Sequence, residues 1–256
     1  MNTLPTGPGV GAVTITRVAD HHWHAIENDL VVGRGHTTRR LDGRTFVSID
    51  TWRDDVFDHL ATAVRRDHRS PLHTVVDETD HDLTAQWIRA GFRVHRIEAE
   101  YVVPTATTRT PAPPGVQIVT DPDGVELRAL DEAIRAEIAA AVGWHTMPAE
   151  ILPWQGGTHP IEPAGHTVAI RDGRYVGLIR LATRTRRARI GLIAVRTTER
   201  RRGIGRALLT HALDRLHREG FEAATAEVDE TNTAGIALLR GAERTGRALE
   251  LISGRA

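Results

Sequence analysis

The chain has 256 residues, 40% hydrophobic and 26% charged, with 33 acidic side chains set against 33 basic ones. That length suffices for one large globular domain or for two modest ones, each with its own core. Balanced charge excludes a strong global field directed at nucleic acid or an anionic membrane. The absence of cysteine excludes disulfides, thiolate metal sites and a cysteine nucleophile.

The opening stretch MNTLPTGPGVGAVTITR lacks the basic and apolar regions of a signal peptide, and no apolar run approaches the roughly 18 residues of a membrane span. The expectation is a cytoplasmic protein with no membrane partner. The HHWH stretch, His21 to His24, lacks the separated ligand pairs of a closed zinc site, so no metal is expected.

Along the N-terminal half, RTFVSIDTW reads as a strand, DVFDHLATAVRRD as a helix and LHTVV as a strand. DLTAQWIRAGF follows as a helix and VHRIEAEYVV as a strand. The stretch from Val102 to Val119 is dense in proline and threonine. Its prolines remove backbone donors and disfavour helix before them. It marks a seam, giving a first domain at 1–103, a linker at 104–114 and a second domain at 115–256.

Beyond the seam, GVQIVT reads as a strand and VELRALDEAIRAEIAAAV as an amphipathic helix, apolar at every third or fourth residue. HTVAIRDGRYVGLIRLATR and ARIGLIAVR supply three strands, with RDG and RTRRAR as turns. The Arg-rich turn has no interleaved aromatics and reads as a solvated hairpin, so no nucleic-acid partner is expected. TTERRRGIGRALLTHALDRLHREGF is a glycine-containing loop entering a helix, followed by the strand EAATAEV, the short helix NTAGIALLR and the strand GRALELI.

The string VDET occurs at Val76–Thr79 and again at Val228–Thr231, 152 residues apart, and the elements after the two copies agree in kind. One fold made twice is the expectation. The copies differ before that string: the first is six residues shorter between corresponding strands, has no glycine there, and places Asp54 and Asp55 at its helix start. Acidic residues suit a helix N-terminus but repel phosphate. The second copy places Gly203 and Gly205 there, with Arg200, Arg201, Arg202 and Arg206 around them. Free N–H groups, close backbone approach and positive charge together suit a pyrophosphate.

The segment RRRGIG, from Arg200 through Ile204 to Gly205, fits Arg/Gln-x-x-Gly-x-Gly/Ala between an apolar strand and an amphipathic helix. It resembles the acetyl-CoA loop of the GNAT-type N-acetyltransferases. Asn232, opening NTAGIALLR, is similar to that family's Asn-containing segment beside the thiol end of the cofactor. The resemblance covers roughly Gly115 to Gly254. It implies an α/β (α+β) chain of two GNAT-like domains, each a mixed, mostly antiparallel sheet flanked by helices, the first copy lacking the phosphate loop. Two strands then splay, pantetheine pairs with Ile193, Ala194 and Val195, and the amides from Arg201 to Arg206 hold the pyrophosphate of acetyl-CoA. An amine attacks the thioester directly, which needs a base or water relay, an oxyanion donor and an acid for the thiolate.

The family often places a tyrosine acid seven residues after the Asn, where this chain has Leu239. The only tyrosines are Tyr101 and Tyr175, so another group, water or the amine must protonate the thiolate. Glu227, on the strand beside the expected splay, and His145, in the stretch VGWHTMP, are the candidate catalytic bases. Trp144 and Trp154 are candidate substrate-pocket residues, with Asp131, Glu132 and Glu150 as weaker acidic options for a cationic amine. The expected activity is acetyl transfer to a primary amine of a small molecule, by a monomer or homodimer. A non-catalytic acyl-CoA-binding module, and a protein or peptide N-acetyltransferase, are the alternatives.

Overall fold

The structure is a computed structural model that describes residues 12–40, 43–108, 110–141, 163–183 and 188–254. It comprises two compact units, the first formed by Met1–His95 with Leu249–Ala256 and the second by Arg96–Ala248.

In the first unit the strands run β1 (Thr14–Ala19), β2 (His22–Glu27), β3 (Leu30–Arg39), β4 (Thr45–Asp50) and β5 (Leu72–Asp77), followed in the sheet by the C-terminal end of β12 (Glu243–Ser253). Strands β1 to β4 pair antiparallel in succession. The sequence expectation began at β4. The three earlier strands carry Arg17, His22, His24, Arg34 and His36 among their apolar residues, which weakens the alternation that marks a half-buried strand. β4 and β5 are parallel and pair only at Thr45–Leu72 and Phe46–His73.

Helix α1 (Asp54–Arg66) buries Val56, Phe57, Leu60, Ala61 and Val64, one stripe at helical spacing. That stripe shares a core with Trp23, Leu72, Trp87 and Phe92. The aromatics meet edge to face, Phe57 and Trp87 at 4.9 Å and Trp87 and Phe92 at 4.6 Å between centroids. Helix α2 (His81–Arg89) is capped by Asp80, whose side chain accepts from Leu83 N. The chain's far end completes this unit: Leu72 N donates to Ser253 Oγ at 2.9 Å, and His73 Nδ1 and Glu250 Oε1 lie 2.8 Å apart.

In the second unit the sheet order is β7 (Val116–Thr120), β8 (His166–Arg171), β9 (Arg174–Ala182), β10 (Ala188–Val195), β11 (Ala223–Asp229) and β6 (Phe92–Pro104). All neighbours are antiparallel except β10 and β11. Asp172 and Gly173, both at positive φ, make the β8–β9 turn, the two-residue hairpin expected from RDG. Helix α3 (Gly124–Ala141) packs Leu127, Leu130 and Ile134 with Val168, Leu178 and Leu192. Helices α4 (Ile204–Arg218) and α5 (Thr233–Leu238) share a second core cluster with Tyr101, Ile179, Ile190 and Ala226. The two clusters occupy opposite faces of the strands, as the pleat requires.

The units divide at 95/96 and 248/249, whereas the sequence seam lies at 104–114. Two pairings explain the path. Residues 98–104 of β6 pair along the whole of β11, and Glu250 and Ser253 bond into the first unit. The proline-rich stretch is not a free connector. Thr105 Oγ1 donates to Phe221 O at 2.5 Å, Thr110 N donates to Thr210 Oγ1 at 3.0 Å, and Pro113 Cγ stands 3.6 Å from where a Cβ on Gly203 would be. It therefore runs along α4 from its C-terminal to its N-terminal end.

The two VDET strings adopt the same local structure. Asp77 Oδ1 accepts from the N and Oγ1 of Thr79, and Asp229 Oδ1 accepts from the N and Oγ1 of Thr231. The next residues, Asp80 and Asn232, cap the helices that follow.

Candidate active site

The parallel pair at the centre of the second unit is only partly zipped. β10 and β11 are in register at Ala188–Ala224, Arg189–Thr225 and Ile190–Ala226, and the pairing ends there. β11 continues beside β6 as far as Asp229–Glu98. β10 continues beside β9, with Ile193, Ala194 and Val195 opposite Ile179, Leu178 and Gly177. Each strand stays with its outer neighbour while the two part from each other. The parting coincides with a register shift between Ile190 and Leu192. Both Ile190 and Ile193 belong to the α4-side cluster, while Leu192 belongs to the α3-side cluster. A bulge at Gly191 accounts for this, since an extra residue reverses the alternation and bends the strand. Half-buried Ile193–Val195 thus line the β10 margin of a gap.

The gap leads to the start of α4. A single 3-10 turn at Thr197–Glu199 follows β10, and the backbone takes left-handed φ at Arg201 (63°) and Gly203 (82°). Conformations of this kind bring consecutive N–H groups to a common concave side. Gly203 is the N-cap of α4, with no side-chain cap hydrogen bond and no acidic residue in the first turn, so orphan donors there are free for an anion. A Cβ built on Gly205 meets no atom closer than Val195 Cγ2 at 3.9 Å and Leu238 at 4.0 Å. The space above Gly205 is an open cradle, and the residues present fit a pyrophosphate. Helix α1 of the first unit begins instead with Asp54 and Asp55.

The arginines divide their work. Arg200 Nε donates to Val195 O at 3.1 Å, Arg202 Nη1 to Glu199 Oε2 at 3.2 Å and Arg206 Nη2 to Ala237 O at 3.2 Å. Exposed Arg201 has no partner among the described residues. The Arg200 contact occupies the Val195 carbonyl, so a ligand strand using that carbonyl displaces this exposed bond.

The loop is anchored by a residue that the sequence did not single out. Glu137 of α3 accepts from Arg196 Nε at 2.6 Å, Thr197 N at 2.8 Å and Thr197 Oγ1 at 2.9 Å. Burial raises its pKa, but Arg196 and Thr197 outweigh that and hold the carboxyl below its ordinary value. No local motif marks this role, because the partners lie about sixty residues further along the chain.

Glu227 lies on β11 with its side chain 39% exposed, and Arg189 Nη2 donates to its Oε2 at 2.6 Å. Directly across on β6 stands exposed Glu100, and the next same-face pair is Asp229–Glu98. Ala226, Ala224, Ala99 and Tyr101 belong to the α4-side cluster, so alternation puts these four carboxylates on the other face. Like charges opposite one another destabilise a sheet. Here Arg189 offsets Glu227, and Arg96 ion-pairs with both Glu98 and Asp229.

Asn232 Oδ1 accepts from Gly235 N at 2.9 Å and is used as the α5 cap. Asp131 is buried and bridged to Arg135, and Glu132 is exposed. His145, Trp144, Trp154 and Glu150 lie outside the described residues. Leu239 is 5% exposed within the α4-side cluster, so a buried aliphatic side chain occupies the expected acid position. No helix among the described residues is long and apolar enough to cross a membrane.

Residues 131–242 match the model of the acetyltransferase (GNAT) family. The match takes in most of the second unit and less than half of the chain. Solved structures that share the chain's fold include the following three. A GCN5-related N-acetyltransferase from Sphaerobacter thermophilus has 18% identity and a TM-score of 0.69, covering 93% of this chain and 82% of its own. A tandem GNAT protein from the clavulanic acid biosynthesis pathway has 17% identity and a TM-score of 0.62, covering 98% and 85%. A GCN5-related N-acetyltransferase from Kribbella flavida has 13% identity and a TM-score of 0.61, covering 96% and 91%. No curated protein matches the chain. The matched stretch contains the parted parallel pair and the glycine loop.

Proposed function

We propose that this protein is an acetyl-CoA-dependent N-acetyltransferase acting on a primary amine of a small molecule. The observation that carries the reading is the continuity of the β10–β11 gap with the uncapped, glycine-lined start of α4. Acetyl-CoA supplies an acetyl group activated as a thioester.

Residues 200–206 hold the pyrophosphate through backbone N–H groups, with Arg201 as the uncommitted cation. Ile193, Ala194 and Val195 offer their backbone to the pantetheine arm, and Asn232 stands at the start of α5 beside its thiol end. Glu227, with Glu100 across from it, suits a protonated amine electrostatically and gives it a route to lose its proton. His145, Trp144 and Trp154 fall in the stretch between α3 and β8 and remain candidates for proton relay and substrate packing. The first unit, whose α1 start is acidic, contributes no second phosphate site.

The second reading, a non-catalytic acyl-CoA-binding module, is favoured by one observation, the buried Leu239 where a proton donor is expected. Thiol release from acetyl-CoA, followed with a thiol dye across amino sugars, amino acids, polyamines, aminoglycosides and short peptides, separates the readings. The chain has no cysteine and is silent in that assay. Release stimulated by one class of free amine supports the enzyme. Tight binding with no release across the panel supports the binding module, and release with peptides alone overturns the small-molecule acceptor.

A further inference from the structure

Direct acyl transfer leaves a thiolate that needs a proton, and position 239 cannot give one. The chain has two phenols. That of Tyr175, on β9, accepts from Asp123 N at 3.1 Å, and the residue packs with the α3-side cluster, on the other face from Tyr101. Tyr101 is placed differently. It stands on β6 directly across from Ala226, and Ala226 stands across from Ile190, the last residue of β10 to pair before the strands part. The row Ile190–Ala226–Tyr101 is therefore the root of the gap. Tyr101, Ile190, Ile193, Val195, Ala226, Val228 and Leu239 all belong to one cluster, so the ring faces the same side as both margins. The side chain between Tyr101 and the gap is a single methyl group, and an aromatic side chain reaches beyond its nearest cross-strand neighbour.

Tyr101 is 9% exposed, and its hydroxyl has no hydrogen-bond partner among the described residues. The hydroxyl oxygen itself is not enclosed, so at the root of a gap that fits a thioester it is open to a ligand atom.

We infer that Tyr101 is the proton donor to the leaving sulfur, a catalytic role supplied by β6 instead of α5. This rests on the acyl-transfer reading above. In the step, the amine nitrogen bonds to the acyl carbon as the carbon–sulfur bond breaks, and the electron pair leaves on sulfur. The sulfur takes the Tyr101 proton, and the proton released by the amine restores the phenol. The sum is thioester plus amine giving amide plus thiol.

The test is Tyr101→Phe in the full chain, with Tyr175→Phe as the control for the other phenol. The expected result is unchanged affinity for acetyl-CoA and, with any active acceptor, a fall in kcat of about 100-fold or more with KM little altered. A second readout needs no turnover. Coenzyme A as the free thiol and desulfo-coenzyme A are titrated against both proteins between neutral and alkaline pH. Tyr101→Phe is expected to weaken the thiol form and change its pH dependence, while desulfo-coenzyme A binds wild type and variant alike. Identical thiol binding and pH dependence in the two proteins overturn the assignment, whether or not an acceptor is known. Failure of the wild type to bind any of the coenzyme forms overturns the acyl-transfer reading itself, and the donor with it.

Discussion

Two glycines of the loop, two residues apart, respond to the same substitution with opposite sign. Gly203 has φ +82°, where an L-residue pays about 1–2 kcal/mol. Gly203→Ala therefore destabilises by about that amount. Gly205 lies inside α4 with ordinary helical φ, and its Cβ meets nothing closer than 3.9 Å. Alanine there recovers the helix-interior penalty of glycine, about 0.5–1 kcal/mol. The two variants differ by roughly 1.5–3 kcal/mol, or about 3–12 °C in Tm at the ~2–4 °C per kcal/mol of a domain this size.

Ligand binding follows space and not stability. Gly205→Ala keeps acetyl-CoA binding, since the loop pattern tolerates alanine, whereas Gly205→Val fills the cradle and abolishes it in a protein that stays folded. Thermal melts followed by circular dichroism, with acetyl-CoA titrations by calorimetry, give both quantities. If Gly203→Ala and Gly205→Ala shift Tm in the same direction, or if Gly205→Val binds as wild type, the loop conformation or its role as the phosphate cradle is refuted.

Glu137→Gln removes a charged acceptor from Arg196 and Thr197 and is expected to cost about 1–2 kcal/mol, with a several-fold loss of acetyl-CoA affinity as the loop loosens. The carboxyl of Glu137 is held below its ordinary value of 4.5. Its stabilisation is therefore fully present above about that pH and is lost as the pH falls through the folded value. A melt series from pH 7 to 3 should show wild type losing its advantage over Glu137→Gln only in the acidic part. Asn232→Ala removes the α5 cap and costs about 1 kcal/mol. Asn232→Asp keeps the cap, so an acetyl-CoA affinity lowered in both variants reports a direct contact of the amide. Glu227→Gln is expected to lower kcat by about 100-fold with acetyl-CoA binding unchanged if Glu227 relays the amine proton. A kcat within twofold of wild type removes it from the relay.

The sequence by itself determined what is local. The glycines of the loop, the Asp172–Gly173 turn and the helical stretches of α1 and α4 depend on neighbours within a few positions, and a linear reading finds them, whereas left-handed Arg201 and the caps at Asp80 and Asn232 emerged with the structure. The VDET repeat was legible for the same reason, since each copy is a turn closed by its own side chains. Tertiary structure alone decided which strands stand together. VHRIEAEYVV reads as the last strand of the first half, but pairing along β11 brings Glu98, Glu100 and Tyr101 to the gap, more than a hundred residues away in sequence. The bulge at Gly191, the end of pairing after Ile190 and the hold of Glu137 on Thr197 are likewise properties of register and packing. Strand pairing is non-local, and its hydrogen bonds are made by backbone groups that every sequence carries.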